Sequence, residues 1–326
     1  MYTGLLSVYL GTACLLWVSC PNKLRSIWYY VNVWVIFIAL ITGRSDNAYL
    51  SLAAAFTFIP IYAFRTRQGI RRYVVLLATF LTSLKVIEWI SITYADRVYR
   101  INSLYTSLVS FSKLILLIKV LWIIAIILYL IDFISKKADA TVSPWFSRIW
   151  IGLIVIGFAA FLYVLYDVNI AGNADQYGSA KSFLLFNDSW GTHRGVIWRL
   201  AIEDYQDFTP LHKLFGYGPD TFGLVTYYHN MDIMSNVYHQ IFDSAHNEYL
   251  QFFVTVGPIG LLSYLAIFVT AFIRIIKKGC QNPYVIAAMF GVLCYSAQAT
   301  VNIGTPITIP IMFLFLSMAL AGCREA

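Results

Sequence analysis

The sequence predicts an all-α polytopic membrane protein with about nine transmembrane helices, on three observations. The 326 residues are 60% hydrophobic and only 12% charged, and the mean hydropathy is +0.70, more apolar than a soluble core of this size needs. Apolar runs of the length that a hydrocarbon core of about 30 Å demands recur along the chain. Between them, thirteen of the 23 basic residues gather in every second loop.

Taken in order, the runs are 2–19, 27–42, 48–64, 73–91, 105–134, 148–167, 247–273, 283–300 and 304–322. The first lacks a basic leading region and a small-residue cleavage site, so it reads as a retained helix and not as a signal peptide. The alternate loops hold Lys23 and Arg25; Arg65, Arg67, Arg71 and Arg72; Lys136, Lys137 and Arg148; Arg274, Lys277 and Lys278; and Arg324. The positive-inside rule makes these loops cytoplasmic. The net charge of +7 therefore reflects topology, and no nucleic-acid partner is expected. Cys14 and Cys294 fall in helices, and Cys20, Cys280 and Cys323 at the cytoplasmic side, so no disulfide framework is indicated.

Residues 43–47, 92–104, 168–246 and 301–304 then lie outside. The long segment carries nine acids from Asp167 to Asp243 against Lys181, Arg194, Arg199 and Lys213, and reads as a small extracytoplasmic domain. Three domains follow: helices one to six over 1–167, the loop domain over 168–246, and helices seven to nine over 247–326. There is no inverted repeat and no low-complexity segment. In the loop, "THRGVIWRLAIEDYQDF" spaces Val196, Ile197, Leu200, Ala201 and Tyr205 as one face of an amphipathic helix. Thr209-Pro210 ends it. "KLFGYGPDTFG" supplies turns. "NVYHQIFDSAHNEYL" is a second amphipathic stretch leading into the seventh helix, so the loop reads as two short helices over a membrane bundle.

The chemistry-bearing residues cluster at the outer boundary. His246 stands at the start of a long helix that Asp243 or Ser244 can cap, where the helix dipole disfavours a cation. Its imidazole is then neutral and able to accept a proton; the plainer alternative is an interfacial cap. Arg194 and Trp198 share a helix face one turn apart, and Arg199 follows; forked guanidinium donors suit phosphate, and Trp suits the headgroup level. A solvated helix with a rim aromatic explains them equally. Arg44 sits in an almost absent outer loop, as an anion ligand or an anchor. Lys85 and Glu88 most simply satisfy each other, whereas Lys119 in the fifth helix lines a cavity or snorkels to the outer face. Trp198, Asn247 and Glu248 border the same cavity. His229, Asp232, His239, Asp243 and His246 crowd into eighteen residues, and the last three share a helical face if the stretch is helical. No recognised ligand signature accompanies them, so neither a metal nor a cofactor is expected.

At this point the chain resembles the O-antigen ligase and polymerase-like membrane proteins. The resemblance rests on "TGRSDNAYL" at 42–50, "RGVIW" at 194–198, "FGYGPDTF" at 215–222 and "AHNEYLQFFVTVGPIGLLSYL" at 245–265, and covers roughly 27–322. "TGRS" is a weak motif, with Arg-Ser where the family pattern has Ser-Arg. An odd helix count places the amino terminus outside; three more upstream helices, which the resemblance implies, would restore an inside start, so the chain is expected to be a shortened representative.

The resemblance implies a GT-C-like bundle in the bacterial cytoplasmic membrane. It implies transfer of a glycan from an undecaprenyl diphosphate carrier in the outer leaflet to a glycan, lipid or protein hydroxyl. His246 matches the proposed catalytic histidine of the family's "HN" motif, Arg194 the arginine of the loop helix, and Arg44, with a one-residue shift, the arginine after the central helix. Arg199 joins them from its charge and position alone. A lipid diphosphate is a good leaving group that arginines can neutralise without a metal, so what the reaction needs is a base for the acceptor, with inversion of the anomeric centre. A polysaccharide exporter or flippase, or a scaffold for an envelope complex, explains the helices without any chemistry.

Overall fold

A computed structural model of the chain describes residues 2–99, 101, 103–135, 140–278 and 282–323. Lys136, Lys137, Cys280 and Arg324 lie outside the described residues. Helices make up the fold: α1 (Thr3–Ser19), α2 (Lys23–Thr42), α3 (Asn47–Ala63), α4 (Arg67–Thr93), α5 (Ser103–Val109), α6 (Leu114–Ser135), α7 (Trp145–Asn169), α8 (Lys181–Leu184), α9 (Trp190–Asp207), α10 (Pro210–Phe215), α11 (Phe222–Asp232), α12 (Glu248–Thr255), α13 (Gly257–Lys277), α14 (Pro283–Gln298) and α15 (Thr308–Gly322). Among the described residues there is no strand, only an isolated bridge between Thr66 and Thr141. Among the described residues six helices are long and apolar enough to cross a membrane: α2, α4, α6, α7, α13, and α14 extended to Val301. Three shorter apolar helices, α1, α3 and α15, accompany them.

Every predicted run contains an apolar helix, but two runs are broken. The run 105–134 divides into α5 and α6 around a turn at Ser110 and Phe111. There the Ser110 hydroxyl folds back onto the Ser107 carbonyl (3.1 Å), while Lys85, paired with Glu88 at 2.5 Å, also reaches the Val109 carbonyl at 3.4 Å. The run 247–273 divides into α12 and α13 at Gly257, whose φ of 73° no regular helix permits.

The chain forms two compact units. The first comprises Met1–Gly152, Phe272–Gln298 and Thr305–Ala326, with a core of α1, α2, α3, α4 and α14 side chains that includes Leu10, Phe37, Leu76 and Phe290. Small residues let α1 and α14 touch backbone to backbone, since a Cβ on Gly11 would lie 2.3 Å from the Phe290 carbonyl oxygen and one on Gly291 2.6 Å from that of Val8. At the α1 carboxyl end, buried Arg72 donates to the Trp17 and Cys20 carbonyls at 2.6 Å each, the favourable place for a cation on a helix. Arg71 is paired with buried Asp132 of α6. Cys14, Cys20, Cys294 and Cys323 are buried free thiols.

The second unit comprises Leu153–Ala271 and Ala299–Gly304. Its core takes Val196, Ile197, Leu200 and Ala201 from α9, the face that the sequence spacing marks out. Phe222 and Val225 of α11, Met234, Phe242, Ala245 and Val254 of α12 pack against them. The loop holds more than the two short helices expected: α8 to α11, a 3-10 segment (Ala174–Ala180) and a π turn (Ile233–Tyr238). That π turn stops at His239, whose φ is 50°, and residues 239–247 are irregular. The second amphipathic helix therefore does not reach His246, and the shared helical face of His239, Asp243 and His246 is not formed.

Candidate functional site

Two glycine-dependent approaches assemble the loop. A Cβ at Gly195, inside "RGVIW", would lie 1.8 Å from the Asn187 carbonyl oxygen, so only glycine lets α9 close on the preceding loop where it resumes after the left-handed residues 191–193. Gly216 and Gly257 interlock: a Cβ on the first would meet the Thr255 carbonyl oxygen, and one on the second the Leu214 carbonyl oxygen, each at 2.1 Å. Gly218 adds a backbone bond to the Thr255 oxygen at 2.8 Å. The motifs at 215–222 and 245–265 are thus one structure, with the α10 end seated in the break between α12 and α13.

His246 sits just ahead of α12, half-buried with φ 48°. A left-handed conformation costs a non-glycine residue about 1–2 kcal/mol, and such strain persists only where surroundings over-determine it. Here they do. The Ala245 amide donates to the Gln251 side chain at 2.8 Å, and the Ala245 carbonyl accepts the Trp198 indole N–H at 2.8 Å. Asn247, and not Asp243 or Ser244, caps α12, accepting from the Tyr249 and Leu250 amides at 3.1 Å each. Burial pulls the His246 imidazole below its ordinary value, the Arg194 charge pulls it further, and Asp243 opposes both. The neutral imidazole expected from the helix dipole therefore has a different main cause.

The structure brings Arg194, Trp198, His246, Asn247 and Glu248 into one neighbourhood. Trp198 is the bridge between α9 and the His246 turn, and it packs against Trp190 at 5.1 Å between ring centres. Arg194 is half-buried and folds its side chain over Gly191. Glu248 is buried in the first turn of α12 and accepts from the Tyr264 hydroxyl. Arg199 is placed differently. Asp188 grips its guanidinium at 2.8 and 3.0 Å, and Glu203 at 3.0 and 3.1 Å, which raises its already high pKa. Two carboxylates already neutralise the cation that was expected to meet a diphosphate. Arg44 belongs to the first unit, exposed at φ 54° with its guanidinium 5.6 Å from the Tyr99 ring centre. Lys119 also belongs there, exposed in the second turn of α6.

Sequence reasoning missed Gln251 and Tyr264, whose partners become visible only once the chain turns, and the buried cluster around Asp204. That carboxyl bonds Asn230 at 2.7 Å, lies 4.0 Å from His229, and is pushed up by burial. Among the described residues no group of three or more His, Cys, Asp or Glu side chains is arranged to hold a metal ion.

The model of the O-antigen ligase family matches residues 101–265, half of the chain. The chain belongs to the O-antigen ligase family. Arg194, Trp198, His246, Asn247 and Glu248 fall within the matched span, as do Lys119 and Arg199, and Arg44 falls outside it. A comparison with curated proteins gives no match. Membership and the apolar helices make this a multi-pass membrane protein of a glycosyltransferase-like family.

Proposed function

We propose that the protein transfers an oligo- or polysaccharide from undecaprenyl diphosphate to an acceptor hydroxyl, at the outer leaflet of a bacterial cytoplasmic membrane with the loop outside. The observation that carries this reading is the pairing of a half-buried imidazole, its proton affinity lowered, with the Arg194 cation that helps to lower it. Two groups of that kind suit opposite tasks. His246 takes the proton from the acceptor hydroxyl as its oxygen bonds to the anomeric carbon. The bond from that carbon to the diphosphate oxygen breaks on the other face, which inverts the centre, and Arg194 receives the charge on the departing lipid diphosphate. The guanidinium fork supplies the neutralisation in this scheme, so it is metal-independent.

Trp198, Gln251 and Asn247 act on His246 by position, each holding the turn that carries it. Arg199 holds Asp188 beside the start of α9, and the part of Arg44 as a further phosphate ligand rests on its motif alone. The test is to incubate purified protein with a polyprenyl diphosphate glycan and candidate acceptors and to measure released lipid diphosphate. Release that depends on acceptor and disappears in His246→Ala, with expression intact, supports the proposal; release unchanged in that variant refutes the base.

A further inference from the structure

Part of the second unit turns an apolar face outward. On α11, Phe222 and Val225 are buried while Leu224, Tyr227, Tyr228 and Met231 repeat at helical spacing on the other side. Leu224 is 73% and Tyr228 85% exposed. On α10, Leu211, Leu214 and Phe215 are exposed as well. Between Tyr217 and α11 runs an open groove of about 590 Å³, lined mostly by these apolar and aromatic groups. A helix with apolar residues on both faces has two partners, and the core of the second unit supplies one of them.

The depth of this face follows from α13. That helix has 21 residues from Gly257, about 31 Å of rise, which matches a hydrocarbon core of about 30 Å. Gly257 therefore marks the border of the core, and the Leu214 carbonyl touches it. The outward residues of α10 are continuous with the spanning helix at that level. Tyrosines on the neighbouring helix, and His212 and Lys213 in the last turn of α10, are residue types that suit headgroups.

We infer that α10 and α11 lie in the plane of the membrane surface, with Leu211, Leu214, Phe215, Leu224, Tyr228 and Met231 immersed at the boundary of headgroups and acyl chains. The occupant of the exposed face is the bilayer at the amino-terminal end of α13. This goes beyond the proposed transfer and holds whether or not the protein is a transferase.

Depth-dependent quenching tests it. Tyr228→Cys and, as a reference, Gln206→Cys, an exposed polar site on α9, are labelled with an environment-sensitive fluorophore in full-length protein in lipid nanodiscs, with label on the parent protein subtracted. We expect a blue-shifted probe at 228, quenched by lipids that carry a spin label near the headgroup and several-fold less by aqueous iodide than the probe at 206. Leu224→Cys gives the same result if Tyr228→Cys does not fold. Equal iodide quenching at 228 and 206 overturns the inference. So does protection that appears only on adding polyprenyl diphosphate, which assigns the groove to a lipid substrate, or only at high protein density, which assigns it to a second copy.

Discussion

The two units differ in where their backbone departs from regular geometry. Twelve described residues have φ in the left-handed region, and all but Arg44 lie in the second unit. The first unit is made of helices that apolar runs specify directly, and Gly11 and Gly291 in it serve close helix crossing. The second joins its helices by turns that long-range contacts hold in place, and there Gly195, Gly216 and Gly257 let backbone pass close to backbone. Charge follows the same division. Arg71 and Arg72 in the first unit are anchored by a carboxylate and by carbonyl oxygens, whereas Arg194 in the second stands in electrostatic reach of a histidine and lowers its proton affinity. In the regular unit one cation finishes a helix and another meets a buried carboxylate; in the strained region one acts on an imidazole.

The sharpest way to break that contrast is at His246. His246→Ala is expected to lower transfer by about 10²–10⁴-fold, the usual contribution of a general base. His246→Gly should lose the same activity while keeping or gaining about 1 kcal/mol of stability, because the left-handed strain is relieved; a less stable glycine variant, measured by thermal unfolding in detergent, would show that the strain is not stored there. The pH dependence has a definite sign. The folded imidazole binds its proton less tightly than the ordinary 6.5, so transfer is at its plateau near neutrality and falls on acidification through a value below 6.5. Stability carried by this group is likewise present above 6.5 and lost as pH falls, since the unfolded chain then binds the proton more readily.

Arg194→Ala is expected to cost about 10²–10³ in kcat, the scale of losing one donor to developing negative charge. It should also move the acid limb upward toward 6.5, because one cause of the depressed pKa is gone. A rate loss without that movement would separate Arg194 from His246.

Gly257→Ala sharpens the structural half of the comparison. The φ of 73° alone strains an alanine by about 1–3 kcal/mol, and the overlap of the new methyl with the Leu214 carbonyl oxygen adds to it, visible as a lower Tm. Gly157→Ala in α7, where a Cβ meets nothing within 4 Å, should be neutral or slightly stabilising. Trp198→Phe removes the bond to the Ala245 carbonyl and should cost about 1 kcal/mol, with a several-fold drop in transfer as the His246 turn loosens. Arg199→Ala is the smallest change, about 0.2–1 kcal/mol for exposed pairs. A large loss of transfer there would return Arg199 to the diphosphate.

Much of the fold was legible because water and hydrocarbon sort residues crudely. Each apolar run contains a helix, and the α9 face is the one whose spacing marks it. The break at Gly257 had a signal, a Gly-Pro pair that ends one helix and opens the next, but an uninterrupted apolar run hid it. The break after α5 has Ser110, Ser112 and Lys113 to announce it. The helix expected through His246 failed for a different reason, since a left-handed residue at His239 ends the preceding turn and Asn247 starts anew. The site residues were legible in part. The types of His246, Arg194 and Trp198 could be read along the chain, but their meeting through the Ala245 turn could not, and the engagement of Arg199 depended on Asp188, eleven residues away across a turn.

By itself the sequence determined that the chain is a helical membrane protein and which face of α9 is buried, because hydropathy and spacing are properties of neighbours along the chain. Tertiary structure alone decided that two glycine motifs interlock, that His246 is strained, half-buried and beside Arg194, and that Arg199 is already neutralised. Those are matters of which distant groups meet, and a proton affinity depends on what surrounds a ring in space.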